Sequence, residues 1–354
     1  MTQRLSTRLT ELVGIEHPIV QTGMGWVAGP SLVAGTANAG GLGILASATM
    51  TLAELEEAIA KTKAKTDKPF GVNIRADASD ATDRIELMIR EGVKVASFAL
   101  APKKELIARL KDNGVVVVPS IGAAKHAVKV ASWGADAVIV QGGEGGGHTG
   151  PVATTLLLPS VLDAVDIPVI AGGGFFDGRG LAAALSYGAA GVAMGTRFLL
   201  SAESRVPGTV KDLYLETPVT GTVVTTKVDG APQRVVRTEL VGRLDSQSWL
   251  RALPRALRNA YRFRQETGAT VASLLREGRA MKEGNELTWT QVVMAANAPV
   301  MTKAALVEGR TDVGVLPTGQ VVGGLNSLPS VADIVDGIMA EADAVLRGWC
   351  GASD

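Results

Sequence analysis

The stretch that decides the fold reads Ala135-Asp-Ala-Val-Ile-Val-Gln141, followed by Gly-Gly-Glu-Gly-Gly-Gly-His148-Thr-Gly150. An apolar, β-branched run ends where glycine takes six of the ten positions from Gln141 to Gly150. Because glycine has no Cβ, the backbone there can come close to a flat or charged molecule. The pattern indicates a buried strand whose end opens into a cofactor site, with the imidazole of His148 inside it.

Seven further apolar runs recur at the interval of a βα unit, and continuous apolar strands are typical of a parallel sheet buried on both faces. The eight predicted strands are Pro18–Thr22, Gly41–Ser47, Pro69–Ile74, Val93–Phe98, Gly114–Ser120, Ala135–Gln141, Pro168–Gly173 and Gly191–Thr196. The predicted helices between them include Leu52–Thr66, Lys104–Asp112, Ala123–Trp133 and Gly178–Tyr187. Eight such units predict an α/β fold, a (β/α)8 TIM barrel, in preference to an open doubly wound sheet.

The rhythm of the chain changes after residue 204. Turn-like stretches at Glu216–Pro218 and Val228–Pro232 are followed by helical, Arg-rich segments from Ser248 to Lys282. We interpret residues 1–204 as the barrel, residues 205–310 as an inserted, mainly helical substrate or lid domain, and residues 311–354 as a C-terminal return to the barrel. A helix over Ala332–Arg347 is expected to complete the barrel wall in that return.

Composition argues against several classes of protein. The 354 residues are 46% hydrophobic and carry a formal net charge of zero, which disfavours nucleic-acid binding driven by positive charge. We find neither a secretory signal nor the roughly 18 consecutive apolar residues of a membrane span. One cysteine, Cys350, and three scattered histidines give no disulfide and no metal-ligand spacing. We therefore expect a cytoplasmic protein without a metal and without a membrane or nucleic-acid partner.

A phosphate site is predicted where the seventh and eighth strands end. Gly172, Gly173 and Gly174 follow one of these strands, and Gly195 and Thr196 follow the other. In TIM barrels, loops at these two places commonly bind phosphate through backbone N–H groups, and Thr196 can add a hydroxyl donor. The alternative is that the glycines only make tight turns. We favour phosphate binding because both loops carry the pattern.

The segment from Gly145 to Gly150 also satisfies the spacing G-x-G-x-x-G of dinucleotide sites. Such sites usually lie in the first βα turn of a doubly wound sheet, whereas this segment follows the sixth of eight strands. We therefore set the dinucleotide interpretation aside.

His148 is the candidate catalytic residue. A neutral imidazole at the rim of the barrel can take or give a proton near neutral pH. The alternative is an imidazole that only hydrogen-bonds cofactor or backbone. His17 and His126 are predicted to be structural or surface residues.

Arginine is concentrated in the inserted region. The positions are Arg234, Arg237, Arg243, Arg251, Arg255, Arg258, Arg262 and Arg264. They predict either a solvated helix face or a basic lip that holds the phosphates of a substrate tail such as coenzyme A.

Several motifs in combination resemble those of the FMN-dependent nitronate monooxygenase (2-nitropropane dioxygenase) superfamily, over residues 8–200 and 310–345. They are Pro18-Ile-Val-Gln-Thr-Gly-Met-Gly-Trp26, Phe70-Gly-Val-Asn73, Gly146-Gly-His-Thr-Gly150, Gly173-Gly-Phe-Phe-Asp-Gly-Arg-Gly180, Met194-Gly-Thr-Arg-Phe198 and Gly319-Gln320. The resemblance implies FMN, with its phosphate on Gly172–Gly174 and Gly195–Thr196 and with His148 as the catalytic base. It implies further flavin contacts from Gly23, Met24, Gly25, Asn73, Arg75, Ser120, Gln141 and Gly146.

Segments outside these motifs are similar to an actinobacterial branch of the superfamily that acts on CoA thioesters derived from steroid rings. They are Thr154-Thr-Leu-Leu-Leu-Pro159 and Glu286-Leu-Thr-Trp-Thr-Gln-Val-Val-Met-Ala-Ala-Asn297. This resemblance implies an oxidoreductase that forms or reduces a C=C bond in a ring-bearing acyl-CoA. NAD(P)H is a candidate electron donor, and a homodimer is a candidate assembly. The alternatives are a nitronate monooxygenase, an NADH:quinone reductase, or a barrel that only binds a phosphorylated ligand.

Overall fold

The eight predicted strands form the closed parallel barrel that the sequence predicted. The computed structural model describes residues 5–246 and 297–349. The barrel strands are β1 (Ile19–Gln21), β2 (Leu42–Ala46), β3 (Gly71–Arg75), β4 (Val95–Ala99), β5 (Val116–Ile121), β6 (Val138–Gln141), β8 (Val169–Gly172) and β9 (Gly191–Met194). Their order in the sheet follows the chain, and β9 pairs with β1 to close the ring. The predicted TIM barrel is confirmed.

Helices follow the strands and form the outer layer. They are α1 (Arg8–Val13), α2 (Pro30–Asn38), α3 (Leu52–Lys63), α4 (Ala81–Arg90), α5 (Lys104–Lys111), α6 (Ala124–Ser132), α7 (Thr154–Leu162), α8 (Gly178–Ser186), α9 (Thr196–Leu199), α10 (Gly208–Leu215), α11 (Glu239–Ser246), α12 (Asn297–Leu306) and α13 (Val331–Trp349). Two 3-10 helices cover Ser47–Thr49 and Gln320–Gly324. The four helices predicted between strands are confirmed to within a few residues. No described helix combines the length and the apolar character needed to cross a bilayer.

Local sequence explains where these helices begin. Thr51 caps α3, because its Oγ1 accepts from the N–H of Glu54 at 3.2 Å while Glu54 Oε2 accepts from the N–H of Thr51 at 2.7 Å. This reciprocal arrangement satisfies two N–H groups that the first turn cannot pair. Asp177 caps α8 in a simpler way, with Oδ1 accepting from the N–H of Gly180.

The strands are buried on both faces, which accounts for their apolar sequences. All five residues of β2 are buried. One set of strand side chains, such as Val20 and Ile44, fills the barrel interior, while another, such as Val72, packs under the outer helices. Because both faces avoid water, no alternation of polar and apolar residues arises along the strands.

The last helix completes the outer layer of helices around the barrel, as the sequence predicted. Helix α13 packs on α8 and α2. The contact with α8 is close, since a Cβ on Gly178 would overlap the backbone of Ala342. Glu341 Oε2 also accepts from the N–H of Gly178 at 2.7 Å.

A small antiparallel sheet lies outside the barrel. Two of its strands belong to residues 205–310, where the sequence predicts only turns and helices, and the third belongs to the glycine-rich loop after β6. Its strands are β10 (Thr222–Thr225), β11 (Gln233–Val236) and β7 (Gly147–His148). The predicted turn-like stretch Val228–Pro232 falls between β10 and β11 and connects them. Strands this short carry too few residues for a recognisable period. The predicted helical segments from Ser248 to Lys282 lie outside the described residues, so the domain boundaries remain a prediction.

Candidate active site

A row of polar groups crosses the rim where β2, β3 and β4 end. Asn73 is its centre: its Nδ2 donates to Ser97 Oγ at 3.2 Å, and its carbonyl accepts from Ser47 Oγ at 2.7 Å. Gly23, after β1, packs directly on this residue, because a Cβ there would lie 2.5 Å from Asn73 Cβ. Only glycine allows the β1 loop to approach Asn73 so closely. Two of the predicted flavin contacts therefore touch each other.

Arg75 and Ser120 lie farther along the same rim. The strand registers align Arg75 with Ala99 of β4, and Ala99 with Ser120 of β5. The side chain of Arg75 is 44% exposed, and its guanidinium donates two bonds to Asp77, from Nε to Oδ1 at 3.0 Å and from Nη2 to Oδ2 at 2.7 Å. The rim therefore carries an ion pair beside the predicted flavin contacts.

The β1 loop also reaches the loop after β9. A Cβ on Gly195 would lie 3.4 Å from the sulfur of Met24 and 3.3 Å from Thr22 Oγ1. Gly25 contacts Thr49 in the same way, since a Cβ on Gly25 would lie 3.0 Å from Thr49 Cγ2. These contacts bring Gly23, Met24, Gly25 and Gly195 to one side of the barrel mouth.

Backbone strain is also found at this rim. Among the residues that the structure describes, Trp26 and Leu100 are the two non-glycine residues with positive φ, 66° and 87°. Trp26 follows β1 and Leu100 follows β4. Strained conformations persist where the surrounding structure imposes them, and they cluster at functional sites.

The loops after β8 and β9 form a cradle of unpaired N–H groups, which we call the glycine cradle: Gly173, Gly174, Gly195 and Thr196. Their four N–H groups donate to no acceptor in residues 5–246 and 297–349. Gly173 and Gly174 have φ of 89° and 86°, in the left-handed region that favours glycine. Gly172, the last residue of β8, is buried beneath them.

Thr196 adds a hydroxyl group to this cradle. Its Oγ1 accepts from the N–H of Gly319 at 2.9 Å and lies 3.2 Å from Thr318 Oγ1, whose hydrogen also has the carbonyl of Gly319 at 3.3 Å as an acceptor. The N–H of Gly319 engages one lone pair of Thr196 Oγ1, and when Thr318 donates to the other, the hydrogen of Thr196 is left to be donated. The C-terminal segment therefore lets Thr196 act as a donor.

The next residue along the chain, Arg197, carries a buried cation. Its Nη2 donates to the carbonyls of Leu200 at 2.6 Å and Ser327 at 3.1 Å. Burial lowers the pKa of the Arg197 guanidinium to about 10. Among the described residues, no carboxylate pairs with Arg197 within 4.0 Å.

The loop after β6, residues 142–150, has a second reason to be rich in glycine. A Cβ on Gly142 would overlap Thr154 at the start of α7, and a Cβ on Gly146 would overlap Thr318. Gly146, a predicted flavin contact, thus faces the C-terminal segment with its Cα hydrogens. Close packing against protein, and not only against a cofactor, requires glycine here.

Two side chains hold this loop from within. Glu144 accepts from the N–H and the hydroxyl of Thr154, at 3.0 Å and 2.7 Å to Oε2. Gln141 Nε2 donates to the carbonyl of His148 at 2.9 Å. Gln141 was predicted to touch the flavin, and its amide nitrogen also supports the backbone of the candidate base.

His148 lies on β7 and pairs with a carboxylate that sequence reasoning missed. Its Nε2 lies 2.7 Å from Oδ2 of Asp229. The imidazole is 62% exposed, whereas the side chain of Asp229 is 6% exposed. Asp229 belongs to the turn between β10 and β11, 81 residues along the chain from His148. The dipeptide Asp229-Gly230 is a hairpin signal, but only the fold brings it to the histidine.

Arg234 of the predicted basic lip points inward instead. Its Nη2 and Nε donate to the carbonyl of Gly143 at 2.8 Å and 3.2 Å, and its Nη1 donates to Thr222 Oγ1 at 3.0 Å. Burial lowers the pKa of the Arg234 guanidinium, an effect that the charge of Glu144 opposes. This arginine clamps the β6 loop to the hairpin. Arg237 and Arg243 are exposed, and the other five arginines lie outside the described residues.

Comparison with known proteins gives consistent matches. A family model described as nitronate monooxygenase matches residues 6–341. Two proteins named (3aS,4S,5R,7aS)-5-hydroxy-7a-methyl-1-oxo-octahydro-1H-indene-4-carboxyl-CoA dehydrogenase are 70% identical to this chain, one from Rhodococcus jostii (strain RHA1) over 338 residues and one from Mycobacterium tuberculosis (strain ATCC 25618 / H37Rv) over 342 residues. Each alignment covers 96% of this chain and 96% of the relative. The structure of FabK from Thermotoga maritima superposes with a TM-score of 0.80 at 36% identity, covering 98% of this chain and 99% of FabK. The similarity spans nearly the full length of all these proteins.

Proposed function

The chain belongs to the nitronate monooxygenase family of flavin-dependent oxidoreductases, and we propose that it is an FMN-dependent dehydrogenase of a ring-bearing acyl-CoA. In the proposed reaction a C=C bond forms between the α and β carbons of the thioester. The two dehydrogenases at 70% identity, whose names describe an octahydroindene carboxyl-CoA, support this substrate class. The single structural observation that carries the chemistry is the exposed imidazole of His148, held at the rim by a buried carboxylate.

The glycine cradle fits the phosphate of a mononucleotide. Four N–H groups without acceptors and the hydroxyl of Thr196 offer hydrogen-bond donors, which suits an anion. The buried charge of Arg197 adds to the attraction. These donors support FMN, which carries one phosphate, as the flavin of this protein.

The isoalloxazine ring would then lie across the mouth of the barrel. The residues proposed to surround it are Gly23, Met24, Gly25, Asn73, Arg75, Ser120, Gln141 and Gly146. A bound flavin supplies a two-electron acceptor for hydride. The rest of the chemistry falls to the side chains of this chain.

His148 is proposed to move the proton. The thioester carbonyl acidifies the hydrogen on the α carbon, and a positioned base accelerates its removal. A ring nitrogen of His148 takes that proton, and the electrons of the α C–H bond become the second bond between the α and β carbons. The β hydrogen leaves with its electron pair as hydride. The substrate thus loses one proton and one hydride, which is a two-electron oxidation.

The exposed arginines support a CoA thioester over a small substrate. Arg237 and Arg243 are exposed on and beside α11 in the inserted region, where they can meet phosphate groups of a long substrate tail. A nitronate, the substrate that gives the family its name, is small and has no phosphate groups for these arginines to bind. It is the second candidate because the family model carries that description.

The test begins with the visible spectrum of the purified protein, followed by extraction and identification of its flavin. The oxidised protein is then titrated without oxygen with the octahydroindene carboxyl-CoA and, separately, with propionate-3-nitronate. Loss of oxidised flavin absorbance with the thioester alone supports the proposal. Bleaching by the nitronate alone makes the protein a nitronate monooxygenase, and bleaching only by NAD(P)H, reversed when a quinone is added, favours the reductase alternative. A colourless protein that takes up no FMN overturns both the cofactor and the reaction.

The variant His148→Gln tests the proton step. Flavin content should be unchanged, because no group of the glycine cradle is altered. Turnover of the thioester should fall about 10²–10⁴-fold, the usual contribution of a positioned general base. His126→Gln, at an exposed histidine of α6, is the matched control and should keep full activity. Full activity in His148→Gln would remove the imidazole from the mechanism.

A further inference from the structure

We propose that Asp229 is a positioning residue that holds His148 in the tautomer protonated on Nε2, so that Nδ1 is the atom that exchanges the proton with substrate. The role of Nδ1 rests on the proposed function, whereas the tautomer itself does not. Neither the family resemblance nor the motifs of the barrel include Asp229, which lies in the inserted hairpin.

The hydrogen bonds of Asp229 assign the proton. Oδ2 lies 2.7 Å from His148 Nε2, and Oδ1 accepts from the N–H of Ala231 at 3.2 Å. A carboxylate can only accept, so the imidazole nitrogen that faces it must carry the hydrogen. In the neutral ring the other nitrogen, Nδ1, then holds a lone pair. Within residues 5–246 and 297–349, Nδ1 has no hydrogen-bond partner, and the ring that carries it is 62% exposed.

The fold holds both members of this pair by their backbones. Strand β11 pairs with β7 in the register Gln233 to His148, and the N–H of Thr149 donates to the carbonyl of Pro232 at 3.2 Å. Val228, next to Asp229, is fully buried in the small apolar cluster of the hairpin. Asp229 is buried, with 8% of the residue exposed, so Nε2 is engaged on a buried partner while the imidazole remains 62% exposed.

The same geometry predicts an unusual order of effects on substitution. In Asp229→Asn, the amide oxygen is needed by the N–H of Ala231, so the NH₂ group faces His148 Nε2 and donates to it. Nε2 must then be unprotonated, and the hydrogen moves to Nδ1, which can no longer accept a proton from substrate. Asp229→Ala instead leaves Nε2 without a partner and lets both tautomers form. The conservative amide should therefore be the more damaging change.

The experiment compares kcat and KM of the two variants in the flavin-loaded protein. For Asp229→Asn we expect kcat to fall on the order of 10³-fold with little change in KM, as with other bases held in the wrong tautomer. For Asp229→Ala we expect a loss of about tenfold to a hundredfold, from poorer orientation of the ring. Asp245→Asn is the matched control in the same hairpin region, since Asp245 accepts from Thr225 Oγ1 and not from the histidine. It should keep the kcat of the unmodified protein.

A second readout does not depend on activity. Nitrogen-15 spectra of protein labelled at its three histidines, assigned with His126→Gln and His148→Gln, report which ring nitrogen of neutral His148 carries the hydrogen. We expect Nε2–H in the unmodified protein and Nδ1–H in Asp229→Asn. An Nδ1–H signal in the unmodified protein, or an alanine variant that is as impaired as the asparagine variant, overturns the proposal. If the thioester is not a substrate, the unmodified protein shows no turnover, yet the spectra still decide the tautomer.

Discussion

The glycines after β8 and β9 and those after β6 look alike in the sequence, but they are held by different parts of the molecule. The glycine cradle is formed by barrel strands and braced by the C-terminal segment at Thr318 and Gly319. The β6 loop is braced by Gln141 and Glu144 from within, and it is also held by the hairpin, because Arg234 clamps Gly143 and Asp229 meets His148. We infer that cofactor binding depends on the barrel, whereas the placement of the base depends on the inserted hairpin. Damage to the contacts of the hairpin should therefore spare flavin binding.

The largest expected effect is the loss of flavin from Gly173→Ala. The φ of Gly173 is 89°, and a Cβ would lie 3.0 Å from the carbonyl oxygen of Gly142. Because the strain falls on the cradle and on the β6 loop packed against it, we expect protein purified without bound flavin and a free energy of unfolding lower by about 1–3 kcal/mol. Visible absorbance measures the flavin content, and thermal melting measures the loss of stability.

Gly188→Ala is the matched control for this change. Gly188 has a φ of 97°, but a Cβ there would meet only the methyl groups of Leu162 at 4.0 Å, in the turn between α8 and β9 on the opposite face of the barrel. Its stability should fall by a similar amount while its flavin is retained. Equal flavin loss in both variants would mean that general instability, and not the cradle, controls binding.

An intermediate effect is expected from Arg234→Ala, which releases the β6 loop from the hairpin. The change removes the bonds to Gly143 and Thr222, and we expect the free energy of unfolding to fall by about 1.5–3 kcal/mol. Turnover should fall because His148 follows the loop, while the bound flavin remains. Arg237→Ala, at an exposed arginine of the same region, should melt like the unmodified protein. Flavin loss in Arg234→Ala would break the separation between the two loops.

The smallest effect is expected from Thr196→Val, within the cradle. The N–H of Gly319 loses its acceptor, and the free energy of unfolding should fall by about 1 kcal/mol. The lost donor to phosphate should weaken flavin binding about tenfold, the equivalent of one hydrogen bond. Thr217→Val is the control, because its hydroxyl bonds only to the carbonyl of Leu213 at the end of α10, away from the cradle. Unchanged flavin affinity in Thr196→Val would remove this hydroxyl from the site.

Sequence reasoning located the strands well because the signal for them is local. Each buried parallel strand is a short run of consecutive apolar residues, such as Leu42–Ala46, because both faces of the strand are buried. The glycine cradle was also predictable, since Gly173 and Gly174 directly follow a strand whose position in the barrel could be counted.

The hairpin and its contacts were not predictable in the same way. Strand β7 has two residues, one of them glycine, and it exists only because β11 pairs with it. Arg234 was grouped with surface arginines because a sequence does not show which guanidinium finds a carbonyl. Gly146 was read as an approach to a flat cofactor, although the segment at Thr318 also requires a glycine there.

The sequence by itself determined the barrel, the order of its strands, the glycine cradle and the histidine in the β6 loop, because each rests on residues that are neighbours along the chain. Only the tertiary structure decided what His148 meets. Its carboxylate partner comes from 81 residues away, through a strand pairing and a turn that carry no period of their own. A proton-transfer site depends on distances of about 3 Å between groups remote in sequence, and such distances are set by packing and not by local pattern.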